Sequence, residues 1–146
     1  MLTESAAESA ARIGRIPTQI SHVHLLGVAG SAMAALAGML VARGFRVTGS
    51  DSQLYEPAAS QLARLKIAVA QPHSAANLQT PPDLAVIGNV VKRANPEVQA
   101  LLASPIPYVS MPEALHHFFL RERRVLMVAG THGKTTSTAM MAHVLE

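Results

Sequence analysis

Seven residues near the end of the chain have the types and spacing of a phosphate cradle: Gly130-Thr131-His132-Gly133-Lys134-Thr135-Thr136. They follow an apolar stretch, Arg124–Gly130, and open a helix-forming run, "KTTSTAMMAHVLE". Glycines there let consecutive backbone amides wrap around phosphate oxygens. Lys134 would reach the β/γ-phosphates of a nucleoside triphosphate, and the Thr135 hydroxyl would ligate Mg²⁺. Lys134 and Thr135 are therefore the catalytic candidates. The strict phosphate-loop pattern asks for a glycine five residues before Gly133, where this chain has Val128, so Gly130 makes the turn instead.

A second turn lies near the start, Gly27-Val28-Ala29-Gly30-Ser31-Ala32-Met33. It joins an apolar strand to a helix whose N-terminal amides would face a diphosphate with the positive end of the helix dipole. It is not the dinucleotide fingerprint G-x-G-x-x-G, because Ala29 and Ala32 stand where the second and third glycines belong. Asp51, after the next strand, occupies the place of a ribose-binding carboxylate. The bland alternative is a tight strand–helix turn with Asp51 as a loop cap.

The histidines carry less. His22 and His24 alternate on a strand and are expected to be edge or packing residues. His116 and His117 lie on a helix, one of them expected to face the core. His143 is expected at the surface, and Met140–Met141 are expected to fill core space. No histidine pair has a convincing metal-ligand context, so no zinc is expected.

These turns need a scaffold, and short connections between alternating strands and helices supply one. Strands are expected at His22–Gly30, Phe45–Asp51, Ile67–Gln71, Asp83–Asn89, Ile106–Ser110 and Arg124–Gly130. Helices are expected at Ser31–Gly44, Glu56–Lys66, Asn95–Ser104 and Met111–Glu122, and from Lys134 onward. Asn95 reads as a cap, with Pro96 at the first helical position. The implied fold is α/β, a Rossmann-like doubly wound, mostly parallel sheet. Ligands in such sheets bind beyond the carboxyl ends of the strands.

Composition narrows the classes. With 49% apolar and 14% charged residues, the chain is not disordered overall. It has no cysteine, which removes disulfides, thiolate metal sites and a cysteine nucleophile. The net charge is +3, but no aromatic residues interleave with the basic ones, so no nucleic-acid partner is expected. Arg121, Arg123 and Arg124 read as a solvated helix end. No apolar run is long enough to span a membrane and no secretory signal is present, so a cytoplasmic location is expected. Residues 1–20, rich in Ala and Ser, are expected to be an unstructured extension or a short helix.

The two turns together resemble those of the Mur ligases, the ATP-dependent amide ligases of bacterial peptidoglycan assembly. The resemblance covers about residues 20–146. Gly-x-x-Gly-x-x-Met at Gly27–Met33 and Gly-Thr-His-Gly-Lys-Thr-Thr at Gly130–Thr136 are similar to the branch that uses UDP-N-acetylmuramate. Within it, "VTGSDSQLYEP" (Val47–Pro57) and "IGNVVKRANPEV" (Ile87–Val98) look more like the enzymes that reattach L-alanyl-γ-D-glutamyl-meso-diaminopimelate in cell-wall recycling than like those that add L-alanine. The latter usually carry Ser-Ser rather than Gly-Asn after the fourth strand.

The resemblance implies a UDP-sugar-binding domain at residues 21–122. Residues 123–146 would be the first strand, phosphate loop and helix of a truncated ATPase domain. Gly27, Ala29, Gly30, Ser31, Ala32, Met33 and Asp51 would hold the UDP-sugar, with His73 and Asn89 as weaker candidates at the same strand edge. Arg93 would meet an anionic group or simply sit at the surface. Gly130–Thr136 would bind ATP, with Mg²⁺ on Thr135. ATP would phosphorylate the muramoyl carboxylate to an acyl phosphate, which the amine then attacks. The rest of the ATPase domain and a C-terminal amine-binding domain would lie outside this chain, which alone would bind the UDP-sugar but not ligate. Two rivals remain. An NAD-binding domain shares Asp51 but leaves the second loop unexplained. A non-catalytic nucleotide-binding module would use the N-terminal extension for docking.

Overall fold

The computed structural model describes residues 16–145. Five parallel strands form one sheet: β1 (His22–Leu26), β2 (Arg46–Ser50), β3 (Ala68–Ala70), β4 (Leu84–Ile87) and β5 (Tyr108–Ser110). Their order is β3-β2-β1-β4-β5. The strand order reverses between β1 and β4, where the crevice of a doubly wound sheet opens. β1 is central, and all five of its residues are buried.

Period-2 alternation divides β1 between two cores. Val23 and Leu25 join the larger core with helices α1 (Ser31–Ala42), α2 (Ala58–Arg64) and α4 (Met111–Leu115). Leu26, on the face shared with His22 and His24, packs with α3 (Pro96–Leu102) and a 3-10 turn at Ala75–Leu78. Helices on opposite faces are what right-handed crossovers running outward in both directions require.

Local chemistry sets the element ends. Gly44 follows the last turn of α1 with φ +86°, a left-handed stop that a Cβ would oppose. Asn95 caps α3, its side-chain oxygen accepting from the Glu97 amide at 2.9 Å and the Val98 amide at 3.4 Å. Pro96 follows at the first helical position.

Several expectations fail. The sixth strand does not form. Residues 124–130 find no partner strand, and without a ladder an apolar stretch stays extended and exposed. The helix expected at Met111–Glu122 is α-helical only to Leu115, then makes a π-helical turn at His116–Leu120. That turn sends Phe118, not a histidine, into the core, edge-on to Phe45 at 5.2 Å between centroids. Of the two roles expected for His22 and His24, edge or packing, the second holds: both are buried on the central strand. Met140 and Met141 fill no core, since α5 (Lys134–Leu145) buries none of its described side chains. Residues 1–15 of the expected extension lie outside the described residues, whereas Ile16 and Ile20 pack against the larger core. Among the described residues no helix is long and apolar enough to cross a membrane.

The cap on α3 is a separable contribution. Asn95→Ala is expected to lower the unfolding free energy by about 1 kcal/mol. Urea titration followed by circular dichroism measures it, and an unchanged midpoint would show that the cap contributes nothing.

Candidate functional site

The turn between β1 and α1 is tied down by backbone and carboxylate. Gly27 and Val28 amides donate to the Ser50 carbonyl at 2.8 and 3.1 Å. The Ala29 amide donates to Asp51 Oδ2 at 2.9 Å, and the Ser52 amide to Asp51 Oδ1 at 2.7 Å. Gly27 has φ +81°, and a Cβ there would sit 2.7 Å from Val91 Cγ2, so both the conformation and the space demand glycine. Asp51 thus acts as a loop cap; its Oδ1 also accepts from the Ser52 hydroxyl at 3.3 Å, which leaves a second lone pair for another donor on Oδ2.

The next three amides are different. Among the described residues Ser31, Ala32 and Met33 N–H find no protein acceptor, while Ala34 N–H already bonds Gly30 C=O at 2.8 Å. Three free donors at the positive end of a twelve-residue helix form an anion cradle.

Two hollows meet at Gly27. One, about 180 Å³, is lined by Gly27, Gly30, Ser31, Ala32, Met33, Gly88, Asn89, Val90 and Met111. The other, about 390 Å³, is lined by Gly27, Asp51, Ser52, His73, Val90, Val91, Lys92, Ala94 and Asn95. Gly27, Gly30, Ser31, Ala32 and Met33, with Asp51, His73 and Asn89, therefore gather at one crevice outside the carboxyl ends of β1, β2 and β4, whereas Ala29 lines neither hollow and packs against the larger core. Arg93 is exposed and outside both hollows. Lys92 and the Val90–Val91 wall also belong to the crevice; they lie in the stretch Ile87–Val98, and no such role was expected of them.

Beneath the larger hollow lies a buried polar network, and its centre, Glu97, was missed in the sequence. Glu97 has no exposed surface. Its Oε1 is 2.8 Å from His24 Nε2, and its Oε2 is 2.9 Å from His73 Nδ1 and accepts from Asn77 Nδ2 at 3.0 Å. Burial alone would raise its pKa, but hydrogen bonds from His24, His73, Asn77 and Ser50 outweigh it and lower the value from 4.5 to about 2. The carboxylate is ionised and can only accept. His24 Nε2 then carries a proton, and in the neutral ring Nδ1 accepts a hydrogen bond from the Thr48 hydroxyl at 2.7 Å. Thr48 Oγ1 in turn accepts from His22 Nε2 at 2.8 Å. The sequence signal was there: two histidines alternating on an otherwise apolar strand need buried partners.

The second loop stands apart from this crevice. Every residue of Gly130–Thr136 is exposed, and α5 begins at Lys134. Lys134 Nζ donates to the carbonyls of Gly130 and Thr131 at 2.8 and 3.2 Å. The ammonium is thereby held over the loop, and the first-turn amides of α5 open toward it. Among the described residues no group of three or more His, Cys, Asp or Glu side chains is placed to hold a metal ion.

An α/β domain with an anion cradle at its switch point is the class these features define. The Mur ligase family catalytic domain model matches residues 22–123, and the chain belongs to the Mur ligase family. It is 46% identical over 124 residues to the UDP-N-acetylmuramate–L-alanyl-γ-D-glutamyl-meso-2,6-diaminoheptandioate ligase of Escherichia coli, covering 85% of this chain and 27% of that protein. A UDP-N-acetylmuramate–L-alanine ligase of Rhodopseudomonas palustris is 36% identical over 135 residues, covering 90% of this chain and 28% of the relative. The solved structure of the tripeptide ligase from Neisseria meningitides superposes with a TM-score of 0.82 at 42% identity, over 87% of this chain and 40% of that one. This chain therefore spans about a quarter of the curated relatives it matches.

The network makes stability fall in acid. His22 is lowered from 6.5 by burial, then by Arg46 and His24, so its contribution is full above pH 6.5 and is lost as the pH falls below it. Glu97 contributes fully above pH 4.5 and loses that contribution as the pH falls toward 2. Thermal melts are expected to be flat near neutrality, to decline below pH 6.5 and to drop further below 4.5. A melting temperature constant across both steps would contradict the assignment.

Proposed function

We propose that this chain carries the UDP-N-acetylmuramate site of a cytoplasmic ATP-dependent ligase. That ligase joins the nucleotide sugar to L-alanyl-γ-D-glutamyl-meso-diaminopimelate in peptidoglycan recycling. One observation carries the reading: the crevice has a donor lobe beside an acceptor lobe. Ser31, Ala32 and Met33 amides suit a diphosphate, while Asp51 and the free ring nitrogen of His73 suit ribose hydroxyls or a base N–H. Gly27 and Gly30 let the diphosphate approach the backbone, Ala29 anchors the turn to Asp51, and Asn89 faces the cradle from the β4 side.

Gly130, Thr131, His132, Gly133, Lys134, Thr135 and Thr136 would form the ATP loop. The residues fit such a ligand, with free helix-start amides, an ammonium already poised over the loop and a hydroxyl at Thr135. Mg²⁺ would be held by the Thr135 hydroxyl together with phosphate oxygens of the nucleotide. Mg²⁺ would neutralise charge between the β- and γ-phosphates. Lys134 would move from the carbonyls to the phosphoryl oxygens. Residues 21–122 would form the UDP-sugar domain and 123–146 the start of the ATPase domain, completed by central and C-terminal domains of a longer protein.

The tripeptide reading rather than L-alanine is supported by the higher identity to ligases of the first kind, 46% against 36%. An NAD-binding role is disfavoured by Ala29 and Ala32, which stand at two of the three fingerprint glycines.

Titration calorimetry tests the site. UDP-N-acetylmuramate is expected to bind and NADH is not. Asp51→Ala is expected to weaken binding about tenfold, roughly 1.4 kcal/mol. A chain that binds NADH and ignores the UDP-sugar would overturn the proposal.

A further inference from the structure

His73 stands between the buried carboxylate and the larger hollow. Its side chain is 11% exposed, while Glu97 has none of its own exposed. Nδ1 lies 2.9 Å from Glu97 Oε2 and 3.1 Å from Ser50 Oγ. Were Nδ1 bare, its lone pair would face the lone pairs of an ionised carboxylate. The proton therefore belongs on Nδ1, and the Ser50 hydroxyl donates to Glu97 as well. Among the described residues Nε2 has no hydrogen-bond partner, and the ring forms part of the wall of the hollow that holds Asp51 and Lys92.

We propose that Glu97 is a positioning residue for the ligand of this crevice: it fixes His73 as the Nδ1–H tautomer and so presents Nε2 to the hollow as a hydrogen-bond acceptor. That orientation selects an N–H or hydroxyl from the nucleoside end of a ligand. It turns away a phosphate oxygen, which is also an acceptor. The diphosphate is then left to the α1 amides, so the direction of the bound nucleotide is set from beneath the sheet edge. His24, the other histidine on Glu97, has its remaining nitrogen taken by Thr48 and cannot serve the hollow. The tautomer follows from the free protein alone, and the identity of the ligand rests on the function proposed above.

Long-range ¹H–¹⁵N correlation spectra of the histidine-labelled chain read the tautomer directly at about pH 8, where an ordinary histidine is neutral. His73 is expected to carry its proton on Nδ1, with Nε2 bare, and saturation with UDP-N-acetylmuramate is expected to shift the Nε2 resonance. Glu97→Gln keeps a hydrogen-bonding side chain of the same shape but removes the charge. It is expected to weaken UDP-N-acetylmuramate binding several-fold, and the loss is expected to vanish when the same change is made in a His73→Ala background. A proton on Nε2 in the free protein would overturn the proposal even if the variant failed to fold. So would an equal loss in the His73→Ala background, which would mean that Glu97 acts only through the fold. If the UDP-sugar did not bind at all while the Nδ1–H tautomer was found, the function proposed above would fail and the hold of Glu97 on His73 would stand.

Discussion

Glu97 is buried to the last atom and still ionised, and most of the crevice is arranged to make that tolerable. An isolated carboxylate in such a place would be neutralised by desolvation. Here it is met by His24 from β1, Ser50 from the end of β2, and His73 and Asn77 from the segment after β3. One side chain on α3 therefore ties the middle of β1 to the end of β2 and to the segment that follows β3. Removing a partner from a buried charge costs about 3–5 kcal/mol, because the remaining group is left unpaired. The network is thus a structural tie and at the same time the floor of the hollow that His73 and Asp51 line.

The second constraint is topological. A parallel sheet with reversal between β1 and β4 leaves a gap outside their carboxyl ends, and no helix can cover it. The β1–α1 turn fills the bottom of that gap. Asp51 satisfies Ala29, the Ser50 carbonyl satisfies Gly27 and Val28, and the free donors begin only at Ser31. Donors therefore concentrate on one side of Gly27 and acceptors on the other. The Gly130–Thr136 loop lines neither hollow and has its own lysine and its own helix start.

What could be read in advance follows from how local each signal is. The β1–α1 turn, the Asn95-Pro96 helix start and the Gly44 stop depend on neighbours within a few residues, and the sequence displays them. Five strands lie within the stretches expected for them, because buried parallel strands are short apolar runs between turns. Arg124–Gly130 has the same composition but no partner strand, and composition does not report pairing. Glu97 looks like an ordinary acid in the first turn of a helix, favourable to the dipole and normally solvated. Its burial is decided by His24 and His73, 73 and 24 residues away in sequence, which no local pattern reveals. The π-helical turn at His116–Leu120 is equally silent, since it rearranges which of four bulky residues faces inward.

Family membership rests on residues 22–123, and the crevice lies within that span. The central claim is that a nucleotide sugar lies across Gly27, with its diphosphate on α1 and its nucleoside toward His73. Amide NMR mapping of the chain with UDP-N-acetylmuramate tests that most directly. The account predicts the largest shifts at Ser31, Ala32 and Met33, a second group at Asp51, Ser52 and His73, and none at Gly130–Thr136. Shifts confined to Gly130–Thr136, or a folded chain whose spectrum does not respond, would contradict it.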